Sequence, residues 1–402
     1  MQSYEHGMSA AEISASADGG GPMSLHIGIE YDRGGAGRVI SELMLSLPEA
    51  GFRFRCLVGG PGNAYAMTGG IVDSFAPAEA SLVQRLRGAR SGIGGALTRW
   101  RPEIVASHFA MYTAPALDLL RGRRNVTHFH GPWCSESLEE GKGRAAAAMK
   151  QRLEAAVYRR ANRVIVLSEA FGRLVTETFG VAEERVRLVP GSVDTERFAL
   201  TEPRADSREA LGLPQDRPVL VSVRRLVHRM GLATLLEAMP AIVRAEPEVL
   251  LCIAGSGPLR GALEAQVEAL GLKRNVRFLG FVTEAMLPHL YYAADINLVP
   301  TTALEGFGLV AAEAMATGTP SMVTPVGGLP EVVGGLSKDL IFRSTSAEDI
   351  AEGVIGALGS GIQLPARTAC RAYVQENFRS ALMAERTAQV YRELMDEEPS
   401  AR

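Results

Sequence analysis

The chain has 402 residues, 47% of them hydrophobic and 22% charged, with 42 Lys and Arg against 45 Asp and Glu for a formal net charge of −3. That length exceeds one ordinary hydrophobic core and predicts two domains, while the near-balanced charge gives no footing for nucleic acid. No apolar run reaches the roughly 18 residues of a membrane span, and the four cysteines (Cys56, Cys134, Cys252 and Cys370) are too scattered to pair as metal ligands, as expected of free thiols in a reducing cytosol.

Met1 to Pro22 carries Glu5, Glu12, Asp18 and a triple glycine, with neither the basic nor the apolar segment of a signal peptide. It reads as a flexible tail. Short β signals then alternate with helical ones, which predicts parallel sheets covered by helices. The first-half strands are expected at Leu25–Glu30, Phe54–Val58, Ile104–His108, Asn125–Phe129, Arg163–Leu167 and around Val186, with helical stretches at Gly37–Leu47, Ala114–Leu120 and Leu138–Ala161. Asp32-Arg33-Gly34-Gly35-Ala36-Gly37 follows the first strand and opens a helix. A dinucleotide site is the competing reading of such a turn, but the spacing is not Gly-x-Gly-x-x-Gly and no acid ends the second strand. Arg85, Arg87, Arg90, Arg99 and Arg101 form a basic stretch able to touch anionic lipid. Gly88, Gly92, Gly94 and Gly95 interrupt it, so a mobile loop is expected there rather than a continuous amphipathic helix. His128-Phe129-His130-Gly131-Pro132-Trp133 ends a strand, and a histidine in such a place is either a satisfied core group or part of a site.

Thr195 to Asp216 is polar and proline-bearing and reads as a linker. The pattern restarts with strands at Val219–Val223, Val249–Ala254, Val276–Leu279 and Ile296–Val299, and helices at Gly231–Ala245, Leu259–Leu270 and Ala285–Ala293. Ala381 to Glu397 reads as a long final helix. After the first of these strands come Arg224, Arg225 and Arg229, whose guanidinium forks suit a phosphate or a solvated surface equally. Gly255-Ser256-Gly257-Pro258 enters another helix, and Phe281 follows a strand and Gly280. Both are ordinary turn chemistry on their own.

The most informative run is Glu305 to Pro320. Gly306 and Gly308 allow close backbone approach, Leu309 to Thr317 is built of good helix formers, and Gly318 and Pro320 stop the helix. Glu305 therefore precedes a helix N-terminus near the N–H groups of Phe307, Gly308 and Leu309, with Glu313 just over one turn inside. Together they make a site for a diphosphate bearing hydroxyl-rich sugars.

The Glu305/Glu313 pair, Ala316-Thr317-Gly318-Thr319-Pro320 and Gly327-Gly328-Leu329-Pro330-Glu331-Val332-Val333 resemble the retaining glycosyltransferases of the GT-B fold, glycosyltransferase family 4, group 1. The resemblance runs from about Leu25 to about Leu394 and is looser in the first half. It implies an α/β fold of two Rossmann-like doubly wound domains facing across a cleft: a tail over 1–22, an acceptor-side domain over 23–200, a nucleotide-sugar domain over 201–375, and a C-terminal helix over 376–402 returning to the first domain.

The same resemblance implies roles for individual residues. Glu305 holds the donor sugar and its phosphate together with the backbone of Gly306, Phe307, Gly308 and Leu309, and Glu313 holds the ribose hydroxyls. Arg225 offsets the charge on the leaving diphosphate. Arg229 stands in for the lysine that usually precedes the glycine, a position occupied here by Met230. His130 lies under the donor sugar. Gly34, Gly35, Gly255 and Gly257 are backbone contacts beside the donor, and Phe281 is near the base. A UDP-, GDP- or dTDP-sugar is the expected donor, and a glycan, lipid-linked or natural-product hydroxyl the acceptor. No cofactor is expected, and no Asp-x-Asp metal motif is present. The expected location is the cytoplasm, with peripheral membrane contact at its inner face left open along with the oligomeric state. The alternatives are a sugar-nucleotide epimerase and a catalytically weak nucleotide-sugar-binding subunit.

Overall fold

The computed structural model describes residues 20–31, 34–60, 64–77, 79–139 and 143–397. The chain divides into two compact units, one running through Ser192 and resuming at Ser380, the other spanning Val193–Arg379. The expected tail lies outside the described residues through residue 19, as do Asp32 and Arg33.

The first unit is a parallel sheet of β1 (Met23–Ile27), β2 (Arg53–Val58), β3 (Val72–Ser74), β4 (Ile104–Ser107), β5 (Asn125–Phe129), β6 (Arg163–Val166) and β7 (Val186–Leu188), in the order β3-β2-β1-β4-β5-β6-β7. Helices cover both faces, so β1 and β4 are buried along their whole length, as central parallel strands are. The order reverses between β1 and β4, which pair directly, His26 opposite Ala106 and Ile27 opposite Ser107. Crevices for ligands form at the carboxyl ends of strands at such a reversal.

The final helix, Ser380–Asp396, belongs to this unit. It buries Met383, Ala384, Ala388, Val390, Tyr391 and Leu394 against Ile40, Leu43, Phe52 and Phe54. Arg124 donates to the carbonyls of Leu394 and Met395 at 2.7 and 3.0 Å, and Arg187 pairs with Glu393 at 2.9 Å.

Two expectations are corrected in this unit, and one strand is added. The arginine- and glycine-bearing stretch expected to be a loop is an 18-residue helix, Leu82–Arg99. A Ser81/Gln84 capping box starts it, and Ala89, Ile93, Ala96 and Leu97 face the core. Its glycines are contact points rather than breakers: a Cβ on Gly88 would stand 2.2 Å from the Phe75 carbonyl oxygen, and one on Gly92 would stand 3.1 Å from the Phe75 Cβ. The single helix expected over Leu138–Ala161 is two, Trp133–Glu139 and Arg144–Tyr158. The three-residue strand β3 was not anticipated, being too short to show alternation.

The second unit holds the parallel strands β8 (Val219–Val223), β9 (Leu250–Ala254), β10 (Val276–Gly280), β11 (Ile296–Val299) and β12 (Ser321–Val323), in the order β10-β9-β8-β11-β12. Its reversal lies between β8 and β11, where Ile296 and Asn297 pair with Leu220 and Val221. The segment read as a linker contains a helix, Arg204–Ala210. Arg204 and Arg208 of that helix reach the Asp295 carboxylate at 2.6 and 2.9 Å, and Asp295 also accepts the Val219 N–H at 2.7 Å. This ion triad anchors the start of the unit to the entrances of β8 and β11.

Candidate active site

In the second unit, the carboxyl ends of β8 and β11 are stitched together by side chains. Arg224 leaves β8, and its guanidinium donates to Thr301 Oγ1 and, at 2.5 Å, to a carboxylate oxygen of Glu305. The Arg224 and Glu305 side chains are only 5% and 16% exposed. Arg229 donates to the Leu304 carbonyl at 2.9 Å, while its own carbonyl accepts the Thr302 N–H at 2.9 Å. The loop from Thr301 to Glu305 is thereby held from both ends of the Arg224–Arg229 turn. Leu304 takes a left-handed φ of 55°, unfavourable for a branched side chain, immediately before Glu305.

The glycines of this region mark backbone crossings. A Cβ on Gly255 would stand 1.9 Å from the Arg224 carbonyl oxygen, and one on Gly257 would stand 2.5 Å from that of Leu226. Gly231, at φ 70°, passes under the Pro300 carbonyl. Gly327, at φ 57°, leaves 1.9 Å between a Cβ and the Glu305 carbonyl oxygen, and the Gly328 N–H donates to that oxygen at 2.9 Å. The Gly-Gly-Leu-Pro-Glu run thus clamps the backbone of Glu305 itself.

Glu305 opens onto the helix Leu309–Ala316, capped by Gly308 in the left-handed region with no side-chain cap. Among the described residues, no acceptor meets the N–H groups of Phe307, Gly308, Leu309 and Val310. A helix N-terminus with unsatisfied N–H groups favours an anion. Gly306 and Gly308 are buried, and Phe307 is wedged edge-on against Phe378 with ring centres 5.3 Å apart, which fixes the turn. Glu313 lies deeper, 2% exposed, with the Tyr291 hydroxyl donating to it at 3.0 Å.

The predicted residues divide by position. Glu305, Arg229, Gly255, Gly257, Gly306, Phe307, Gly308 and Leu309 gather at the β8/β11 reversal. Arg225 is exposed at the same turn, its carbonyl accepting the Val227 N–H at 2.9 Å, and among the described residues its guanidinium has no hydrogen bond or ion pair. Phe281, 76% exposed, follows β10. Gly34, Gly35 and His130 belong to the first unit. Among the described residues, nothing lies within 4 Å of a Cβ built on Gly34 or Gly35, and Gly34 is in the left-handed region at φ 64°.

His130 sits just past β5 in a file of imidazoles. His26 on β1 and His108 after β4 are joined Nδ1 to Nε2 at 2.9 Å, and His108 Nδ1 meets His130 Nε2 at 2.9 Å. His128 stacks on His108 with ring centres 4.3 Å apart and meets the Tyr391 hydroxyl at 3.1 Å. Burial depresses all four: His26 to about 3, His130 to about 4, and His108 and His128 well below the usual range, these last two also through neighbouring imidazoles. Past His130, the Glu154 carboxylate accepts the N–H groups of Trp133 and Cys134 at 2.9 and 3.0 Å and the Tyr158 hydroxyl at 3.0 Å, pinning the following helix start. Burial pushes the Glu154 carboxyl up.

Sequence reasoning passed over Thr301, Glu154 and the partners of His130, and left Arg224 open between a phosphate contact and a solvated surface. The only linear trace of the imidazole file is polar residues two apart in buried strands, at Ser24/His26 and His128/His130. Among the described residues, no group of three or more His, Cys, Asp or Glu is arranged to hold a metal ion, and no helix is long and apolar enough to cross a membrane.

Comparison with known proteins returns two family models in tandem: Glycosyltransferase Family 4 over residues 33–197 and Glycosyl transferases group 1 over residues 203–376. A glycosyltransferase of Methanocaldococcus jannaschii is 32% identical over 238 residues, covering 58% of this chain and 60% of that protein. A D-inositol 3-phosphate glycosyltransferase of Corynebacterium urealyticum is 34% identical over 245 residues, covering 58% of this chain and 57% of its own length. The chain therefore spans somewhat under two thirds of these two relatives. Among solved structures, a sucrose-phosphate synthase from Thermosynechococcus elongatus superposes with a TM-score of 0.78 at 22% identity, covering 93% of this chain and 99% of that one.

Proposed function

The chain belongs to the group 1 glycosyltransferases of glycosyltransferase family 4, with the Rossmann-like units of the GT-B fold, and on that premise we propose that it transfers a sugar from a nucleotide-diphosphate donor to an acceptor hydroxyl with retention at the anomeric carbon. The observation that carries this reading is the Arg224–Thr301–Glu305 cluster beside four N–H groups without an acceptor at the β8/β11 reversal. Such a place binds a diphosphate through amide dipoles and aims a fixed carboxylate at sugar hydroxyls.

Each side chain then has a task. Arg224 is occupied: it holds Glu305 in one orientation. Arg225 is exposed and uncommitted, and its guanidinium offsets the charge that grows on the leaving diphosphate. Arg229 acts through Leu304, keeping the loop in its strained form. Glu313 faces the ribose hydroxyls, Phe281 the base, and Gly34 and Gly35 the diphosphate. The acceptor oxygen bonds to the anomeric carbon as its bond to the diphosphate oxygen breaks, and a donor phosphate oxygen takes the acceptor proton.

The donor is a UDP-, GDP- or dTDP-sugar and the acceptor a glycan, lipid-linked sugar or natural-product hydroxyl, with catalysis in the cytoplasm. The helix Leu82–Arg99 exposes Leu82 and Val83 beside Arg85 and Arg87, a pairing suited to an anionic bilayer surface. Incubation with the three classes of sugar nucleotide and an acceptor panel, with the anomeric configuration of the product read by NMR, tests the proposal. An inverted product removes the retaining assignment, and an epimerised donor formed without acceptor replaces the transferase with an epimerase.

A further inference from the structure

The imidazole file has a direction. Ser24 Oγ lies 2.9 Å from the Arg53 carbonyl oxygen, which has no hydrogen to give, so the serine hydroxyl donates there. Its oxygen, 3.2 Å from His26 Nε2, must then accept, which places the His26 proton on Nε2 and leaves Nδ1 a lone pair. His108 Nε2 therefore donates to His26 Nδ1, and His108 Nδ1 is in turn an acceptor for His130 Nε2–H. One backbone carbonyl on β2 thus sets the tautomer of three successive histidines. At the end of the file, His130 Nδ1 carries a bare lone pair, and it is buried with no hydrogen-bond partner among the described residues.

We propose that Ser24, His26 and His108 are positioning residues that lock His130 in the neutral Nε2–H tautomer, so that its Nδ1 accepts a hydrogen bond from a substrate hydroxyl. Several consequences follow from the geometry. A bare lone pair on Nδ1 takes a hydroxyl and repels a phosphate oxygen. Burial holds His130 to about 4, so the ring stays uncharged near neutrality and neither adds a proton to the reaction nor takes a permanent charge. An unpaired buried acceptor is costly until a donor reaches it, so the site favours ligands that place a hydroxyl there. His128 is kept out of the relay by its own bond to the Tyr391 hydroxyl and braces His108 by stacking. The assignment rests on the proposed function only for which molecule brings the hydroxyl.

The test uses the full chain with ¹⁵N-labelled histidine. Long-range proton–nitrogen correlation at neutral pH should show His130 with a protonated Nε2 and an unprotonated Nδ1. His108→Phe removes the acceptor for His130 Nε2–H and should give a mixture of tautomers. His108→Gln supplies a carboxamide that both donates and accepts, and it should restore the wild-type pattern. A wild-type His130 protonated on Nδ1 overturns the lock whatever the variants do, so failure of His108→Phe to fold leaves the test intact. With UDP-glucose and GDP-mannose as probes, His108→Phe should raise KM by roughly tenfold for the substrate that brings the hydroxyl, and His108→Gln should recover it. A rise for the nucleotide sugar assigns the hydroxyl to the donor, and a rise for the acceptor assigns it there. A changed tautomer with unchanged kinetics overturns the positioning role but not the transferase. A wild-type protein that shows the lock but binds no nucleotide sugar overturns the transferase and supports the lock alone.

Discussion

Arg224 and Glu305, 81 residues apart in sequence, meet at 2.5 Å where β8 and β11 end, and the arginine is almost wholly buried there. The neighbouring Arg225 is exposed. Adjacent arginines in one turn are thus split between holding the site and being free to contact a ligand. Arg224→Met leaves Glu305 largely buried with its cation removed, which should cost about 3–5 kcal/mol. Arg225→Ala should leave stability within about 0.5 kcal/mol but lower turnover by roughly 10²-fold. Denaturant melts and initial rates on both variants check the split. If Arg225→Ala keeps full activity while folding normally, Arg225 does not serve the leaving group.

The Gly327 crossing gives a second prediction. A Cβ there would sit 1.9 Å from the Glu305 carbonyl oxygen, at a φ of 57°. The left-handed backbone alone costs alanine about 1–2 kcal/mol, and the overlap pushes the Glu305 loop off the helix N-terminus. Gly327→Ala should therefore lose stability and nucleotide-diphosphate binding together, read by thermal melts and UDP titration. Gly35→Ala meets nothing within 4 Å among the described residues and needs no positive φ, so its melting temperature should stay near wild type.

How much of this was legible in the sequence depends on what each feature needed. β8, β9 and β11 stood out because buried parallel strands are largely apolar: Leu250–Ala254 is apolar throughout, Val219–Val223 is broken only by Ser222 and Ile296–Val299 only by Asn297. The three-residue strands β3 and β12 are too short to carry any period. The helix Leu82–Arg99 was missed because its glycines look like breakers in one dimension, whereas their reason, the approach of Phe75, exists only in three. The Glu305 run was readable because turn, helix start and carboxylate are consecutive. Its partner Arg224 comes from the end of β8, 81 residues away, and only strand order brings it there. The imidazole file was hidden for the same reason: His26, His108 and His130 come from three different strands.

The C-terminal helix Ser380–Asp396 supplies six core side chains to the first unit. A chain ending at Arg379 uncovers Phe52 and Phe54 and strips His128 of the Tyr391 hydroxyl. It should therefore be insoluble or bind apolar dyes strongly, whereas Tyr391→Phe should fold with a loss of about 1–3 kcal/mol for the buried imidazole left unpaired. Recovery of a soluble, cooperatively melting protein from the truncated chain would rule out that dependence.

The depressed histidines also set a pH profile for stability. In the unfolded chain they titrate near 6.5, but in the fold His26 falls to about 3 and His130 to about 4, with burial the cause, and His108 and His128 shift the same way. Below pH 6.5 the unfolded state therefore binds more protons than the native state. Stability is complete above that pH and is lost as pH falls toward the folded values, by about 1.4 kcal/mol per pH unit for each histidine. Glu154 works in the opposite sense, since burial raises its carboxyl and the fold takes that proton first, which offsets part of the loss near the acid end. The aspartates and glutamates held below their usual range, Asp118, Glu268 and Asp349, add nothing until about pH 4.5 and lower. Urea denaturation from pH 8 to pH 5 should accordingly show a steep loss beginning near 6.5. His26→Gln removes one of the titrating groups and should make that slope shallower. A wild-type profile that stays flat from pH 7 to pH 5 would mean the imidazoles are not held neutral by the fold.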